Sequence, residues 1–209
     1  MRRPATVCSR AGPWPVQLRF DSGYTSEEYV SAEGWREARL THCPRHPRGG
    51  CGFARHGTYR RKSPLGALIA RWYCHKAHET FSLLPDCLAA RLPSALLEVE
   101  AVVRAVEAAP GVERAADVLR PDIELPGAVR WTGRRVRAVH RSLSALRGLL
   151  PQTFASCPLT LTAFAERLGV EFALPALRAV AAEYLHELPA PLGLRARVRR
   201  GGEPDPGIQ

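Results

Sequence analysis

The sequence predicts an α+β fold, with a small β module over residues 37–84 followed by an all-α module over residues 85–190. Three observations lead there. From Glu37 to Leu84, short runs with aromatic and β-branched residues are divided by Gly and Pro turns, as in strands joined by tight connections. From Pro85 onward apolar residues recur at intervals of three and four, the period of helices with one buried face. Cysteines and histidines gather at the two ends of the β stretch, in "HCPRHPRGGC" and "YCHKAH", where two short groups can close on one ion.

Taken in order, residues 1–36 read as weakly structured, with one candidate strand in "VQLRF" and a polar stretch, "DSGYTSEEYVSAEGW", to which no chemistry attaches. The β module then offers "EARLTHC", "GFARHGTYRR", "ALIARWYC" and "HETFSLL" as strands. The helical part starts with "PDCLAARL" and "PSALLEVEAVVRAVEA", the second carrying Leu96, Val99, Val103 and Val106 on one face. A short third helix, "GVERAADVL", closes at "RPDIELPG" and leads into a long fourth, "GAVRWTGRRVRAVHRSLSALRGLL", stopped by Pro151. Two more helices follow near "LTLTAFAERLG" and "PALRAVAAEYLHEL". Residues 191–209 read as a basic, disordered tail.

A chain of 209 residues with 45% hydrophobic content holds one ordinary domain or two small ones. No window of 18 uncharged apolar residues exists, and no apolar run follows the arginines of "MRRPATVCSRAGPWP", so neither a membrane span nor a secretory signal is expected. The expected location is cytoplasmic, at the nucleoid if the chain binds DNA. Six cysteines, with Cys157 far from the rest, do not form the pattern of a secreted disulfide framework.

The cysteines and histidines fit a metal better. Zn²⁺ takes four N or S ligands in a tetrahedron, and in small ribbons these come as pairs on tight turns. Cys43-x2-His46 supplies one pair, on a turn made by Pro44, Pro47 and the glycines, and Cys74-x3-His78 supplies the second. Fewer than fifty residues of β structure have a marginal core, which an ion would reinforce. Cys51 competes with His46 for one place, whereas His75 follows Cys74 directly and so points to the other side of an extended segment. The ranking is Cys43, Cys74 and His78 first, with His46 or Cys51 fourth.

Together, "CPRHPRGGCGFARHGTYRR", "RWYC" and "HETFSLLPDCLA" resemble the zinc-ribbon segment of bacterial transposase-like proteins, a domain-of-unknown-function group associated with mobile elements. The likeness covers about residues 40–92. It implies bound zinc, a DNA-recognition role and a protein partner from the same mobile element. The departures are His46 and His78, where the commoner pattern has cysteines, and the additional Cys51.

Charge points the same way. The net charge is +10, and the excess is N-terminal: residues 1–84 carry 14 Lys and Arg against 6 Asp and Glu, residues 151–209 carry 6 of each. Nearly all of it is arginine, which suits bidentate contacts to phosphate or guanine. In "RHGTYRRK" the candidate double-stranded DNA contacts are Arg55, His56, Tyr59, Arg60, Arg61 and Lys62. In the fourth helix Arg130, Arg134, Arg137 and Arg141 recur at four, three and four, with Arg135 beside them. No acidic residue lies within Gly127–Leu150, and Val129, Thr132, Val136, Val139, Leu143, Leu146 and Leu150 mark a different, packed face. With the third helix this makes a helix-turn-helix-like part over about 112–150.

A catalytic reading finds no support in the residues: there is no Gly-rich phosphate loop, no Gly-x-Ser-x-Gly and no His-Glu-x-x-His. A transposase catalytic domain needs separated carboxylates on a sheet, and the chain beyond residue 85 reads as helical. The expectation is a non-catalytic DNA-binding protein with a structural ion. A zinc-stabilised protein-interaction adaptor and a transposase remnant lacking its catalytic domain are the alternatives.

Overall fold

The computed structural model describes residues 15–195. It is an α+β structure. Four strands form one sheet in the order β1-β4-β3-β2: β1 (Val16–Phe20), β2 (Ala54–Arg60), β3 (Leu68–Cys74) and β4 (Glu79–Pro85). The meander β2-β3-β4 follows the predicted pattern, with Trp72 opposite Phe81 and Tyr73 opposite Thr80. Between Arg55 and Thr58 the register against β3 shifts by one residue, a bulge at Gly57, whose φ of 76° suits glycine.

β1 lies parallel to β4, pairing Val16 with Phe81 and Phe20 with Pro85. Residues 15–36 are therefore part of the fold, and residues 1–14 lie outside the described part. Helix α1 (Ser26–Ser31) is set by a capping box between Thr25 and Glu28, and Tyr29, fully buried, donates its hydroxyl to the Leu68 carbonyl at 2.8 Å. "EARLTHC" forms no strand. Ala38 closes a turn on Gly34, and the stretch has no ladder partner.

Six helices follow: α2 (Leu96–Ala108), α3 (Val112–Leu119), α4 (Leu125–Leu149), α5 (Pro151–Phe154), α6 (Leu161–Leu168) and α7 (Ala173–Val180). Helix α4 starts two residues ahead of the sequence expectation because Pro126 fits its first turn, so the link from α3 spans residues 120–124. "PDCLAARL" is not a helix. The guanidinium of Arg178, fully buried in α7, donates to the carbonyls of Asp86, Leu88 and Pro191, which holds residues 86–88 in a turn. Burial lowers the Arg178 pKa to about 10, so the group stays charged.

Helix α2 organises the last two long helices through carboxylates. Buried Glu100 accepts from the first N–H groups of α7, Ala173 and Leu174, at 2.8 Å each, and pairs with Arg104 at 2.9 Å. Glu107 accepts from Leu161 at the start of α6, at 2.8 Å. Negative charge at a helix N-terminus satisfies donors that have no partner within the helix.

Most of the buried apolar residues, from Val16 in β1 to Leu194, form one cluster shared by the sheet and the helices, with Val102, Ala115, Ala116 and Ala128 outside it. The reason lies in β4: Phe81, Ser82, Leu83, Leu84 and Pro85 are all buried, so both faces of this strand are covered. The end of the described chain also packs. Leu192 and Leu194 are buried, and Arg195 exchanges two hydrogen bonds with Gln17 of β1, at 2.9 and 3.0 Å. The predicted disordered tail thus does not begin at residue 191, and residues 196–209 lie outside the described part. No helix among the described residues is long and apolar enough to cross a membrane.

Candidate metal centre

Cys43, His46, Cys51 and Cys74 offer ligand atoms that all lie within 4.8 Å of one another, so the chain builds a Cys3His group able to hold a metal ion. Three of the four arrive on one loop. His46 N–H donates to the Cys43 carbonyl at 3.2 Å and Gly49 N–H to the His46 carbonyl at 2.9 Å, two successive turns that bring the chain back toward Cys51. Gly50, with a φ of 74°, allows the reversal. Cys74 is the last residue of β3, and the Ala77 N–H donates to its sulfur at 3.4 Å across the tight β3–β4 link.

The distances suit a tetrahedron. With metal–sulfur bonds of about 2.3 Å and metal–nitrogen bonds of about 2.0–2.1 Å, a tetrahedral site has S···N edges of roughly 3.5–3.6 Å. His46 Nδ1 lies 3.6 Å from Cys43 Sγ and 3.4 Å from Cys74 Sγ. All three thiols are buried, and thiolate with imidazole is a donor set suited to zinc. Burial, the largest single influence, raises the Cys43 thiol, but hydrogen bonds from the backbone N–H groups of Arg45 and His46 and from the Cys74 and Cys51 thiols together hold it below its ordinary range. Cys74 beside it is pushed up, chiefly by burial. Four protein ligands leave no open position, the arrangement of a structural site.

His78, ranked with Cys43 and Cys74 from the sequence, stands apart. Its Nδ1 lies 3.2 Å from the Tyr73 hydroxyl, and its backbone is in the left-handed region at a φ of 49°. Tyr73 and Cys74 are neighbours on a strand and point to opposite faces, so a histidine on Tyr73 is on the wrong side of the sheet for Cys74. His75 packs edge-on against the same tyrosine at 4.9 Å. His46 and Cys51, weighed as competitors, both join the group.

The candidate DNA contacts are used unequally. Arg55 donates to the Trp35 carbonyl at 2.7 Å and lies over the Trp72 ring, tying β2 to the segment behind it. Arg61 is held by the carbonyls of Ala89 and Leu92. His56, Arg60 and Lys62 are exposed, with His56 against Tyr73, while Tyr59 is half-buried. In α4, Arg130, Arg134, Arg137 and Arg141 are exposed, and none has a hydrogen-bond or ion-pair partner among the described residues. Arg135 departs from the expectation of a contact residue: it is 6% exposed, lies 3.6 Å from the Trp131 ring centre and donates to the Trp131 carbonyl. Burial lowers its pKa to about 10.

Arg71 and Arg91 are not among the candidates that spacing in the sequence picks out. They stand with Arg60, Arg61 and Lys62 around a cleft beside the sheet. The alternation of β3 was the available signal, since Arg71 shares its face with Ile69 and Tyr73. No family model matches the chain, and neither a curated protein nor a solved structure matches it.

Proposed function

We propose that this protein binds double-stranded DNA without cleaving it, with one Zn²⁺ in the Cys3His group fixing the loop beside β2. The observation that carries the reading is the row of four exposed arginines on α4 that have no partner among the described residues. Eleven residues of helix separate the first from the last, about 16 Å along the axis. That length suffices to reach phosphates on both sides of a major groove about 12 Å wide. An uncompensated row of guanidiniums has no stabilising role inside the chain, whereas on a duplex each phosphate contact releases counterions. The transposase-like motif between residues 40 and 92 supports the same reading and makes other proteins of a mobile element natural partners.

The test is the salt dependence of duplex binding by the full chain and by a variant with Arg130, Arg134 and Arg137 replaced by glutamine. Helix propensity stays similar and the packed face is untouched. If all three contact phosphate, the slope of log K against log salt becomes shallower by about 2–3. Unchanged affinity and slope would remove α4 as the binding element.

A second reading, a protein-interaction adaptor, is favoured by one observation. Leu97, Val170 and Phe172 are exposed apolar side chains around a cleft of about 600 Å³ beside Tyr24. An apolar contact of that kind responds weakly to salt, so the same titration separates the two readings.

A further inference from the structure

The pairing of the strands places Gln17, Ser82 and Arg71 side by side on one face of the sheet, with Tyr59 opposite Ile69 one step along. Cys74 and Trp72 point to the other face. Against the Arg71 face lies a cleft of about 540 Å³ that includes Arg60, Arg61, Lys62, Arg71, Arg91 and Arg195 in its lining and no carboxylate.

The cations are fixed from behind. Arg61 donates through one terminal nitrogen to the Ala89 and Leu92 carbonyls, at 2.8 and 3.0 Å, and Arg91 donates through Nε to the Gly193 carbonyl at 3.1 Å. Each guanidinium has five N–H donors, so both retain unused ones while their positions are set. Arg71 is different. It makes no hydrogen bond or ion pair among the described residues, and its Nε is buried without a partner. Burial holds Arg61 below the usual arginine range, and burial with the neighbouring Arg195 does the same to Arg91. Crowded like charges around Arg71 and its buried unpaired donor are both relieved by one anion, which none of the described residues lining the cleft supplies.

We infer that this cleft is a phosphate-binding site for a nucleotide, with Arg71 as the central ligand and Tyr59 offering a ring beside it. A lone carboxylate carries too little charge to balance several guanidiniums, whereas a terminal phosphate or a pyrophosphate presents more charge and oxygens that arginine meets in pairs. The volume lies within the ordinary range for small-molecule sites. The phosphate belongs either to a free nucleotide or to the end of a nucleic-acid strand. The inference does not depend on duplex binding through α4, which uses other arginines.

The experiment is calorimetric titration of the full chain with pyrophosphate, followed by competition. Wild-type protein binds pyrophosphate, Arg71→Met weakens binding at least tenfold, and Arg137→Gln leaves it unchanged. A single-stranded oligonucleotide with a 5′-phosphate displacing pyrophosphate, where the 5′-hydroxyl form does not, identifies a strand end; displacement by a nucleoside diphosphate alone identifies a free nucleotide. If Arg71→Met does not fold, the variant with the exposed Arg60 and Lys62 both changed to Met replaces it, with at least a threefold loss expected. No heat with millimolar pyrophosphate, or equal binding by wild type and by the folded cleft variant, overturns the site. Neither result bears on the salt slope of the α4 variant, so the two readings fail separately.

Discussion

If the Cys3His group holds zinc as proposed, removing the ion should release the loop over residues 41–52 and leave the rest of the protein folded. Within it only Cys43 and Cys51 are buried and His46 is half-buried, and it contains no helix or strand. Fixing a dozen residues of backbone costs roughly 12–24 kcal/mol at about 1–2 kcal/mol each. Burying two cysteines returns no more than about 3–6 kcal/mol, and the three backbone hydrogen bonds that close the loop about 3 kcal/mol more. The shortfall, roughly 3–18 kcal/mol, spans the roughly 10–16 kcal/mol that a structural zinc ion contributes in small zinc modules, and the partly exposed Arg45–Glu79 ion pair at 2.8 Å adds only about 0–1 kcal/mol to the loop's side. The sheet needs no such help, since β3 and β4 belong to the common core with the helices. Stripping the metal with a strong chelator, or changing Cys51 to Ser, should therefore loosen the backbone enough for trypsin to cleave after Arg45 and Arg48, whose side chains are already exposed. A loss of only ~3 kcal/mol in local stability raises the open population, and the cleavage rate, by about a hundredfold. Far-ultraviolet circular dichroism should change little, because helices α2 to α7 stay packed. Equal cleavage before and after stripping would show that the loop is held without an ion, and a parallel loss of helical signal would make the ion a prop for the whole fold; either outcome rules out a locally acting metal.

Two further outcomes follow from the same structure. His46→Ala should lower bound metal well below one ion per chain by elemental analysis after metal-replete expression, while His78→Ala, at a ring that meets the Tyr73 hydroxyl and lies outside the Cys3His group, should leave the stoichiometry unchanged. Arg178→Leu removes the donor shared by three carbonyls and should cost ~3 kcal/mol or more, a fall of about 6–12 °C in Tm by scanning calorimetry; a change under ~2 °C would show that water replaces the guanidinium without penalty.

Periodicity made the meander and most helices legible, because β2 to β4 and α2, α4 and α6 are locally consistent segments. What failed was non-local. Nothing in "VQLRF" says that it pairs parallel to a strand more than sixty residues on, and nothing in "EARLTHC" says that no partner awaits it. "PDCLAARL" has helical composition, but a guanidinium from α7 claims its carbonyls. At the candidate metal centre, spacing named the three cysteines that the fold brings together, and one histidine that it does not. The alternation of side chains along β3 applied to His78 as much as to His75, through the tyrosine that both rings touch. For Arg135, helical position placed the side chain near the stripe, yet the Trp131 ring beneath it decided its burial.

Glu100 and Glu107 stand seven residues apart on α2, nearly two turns, so they project on one side and about 10 Å from each other along the axis. That separation is close to the 8–10 Å at which two helices lie in contact. A single rigid element thus works as a ruler, setting where two successive helices may begin and how far apart they run. One residue inserted between the glutamates would swing the second by about 100° and detach α6 from its mark. Substitutions on the outer side of α2 are free to drift, whereas its length between these two carboxylates is not.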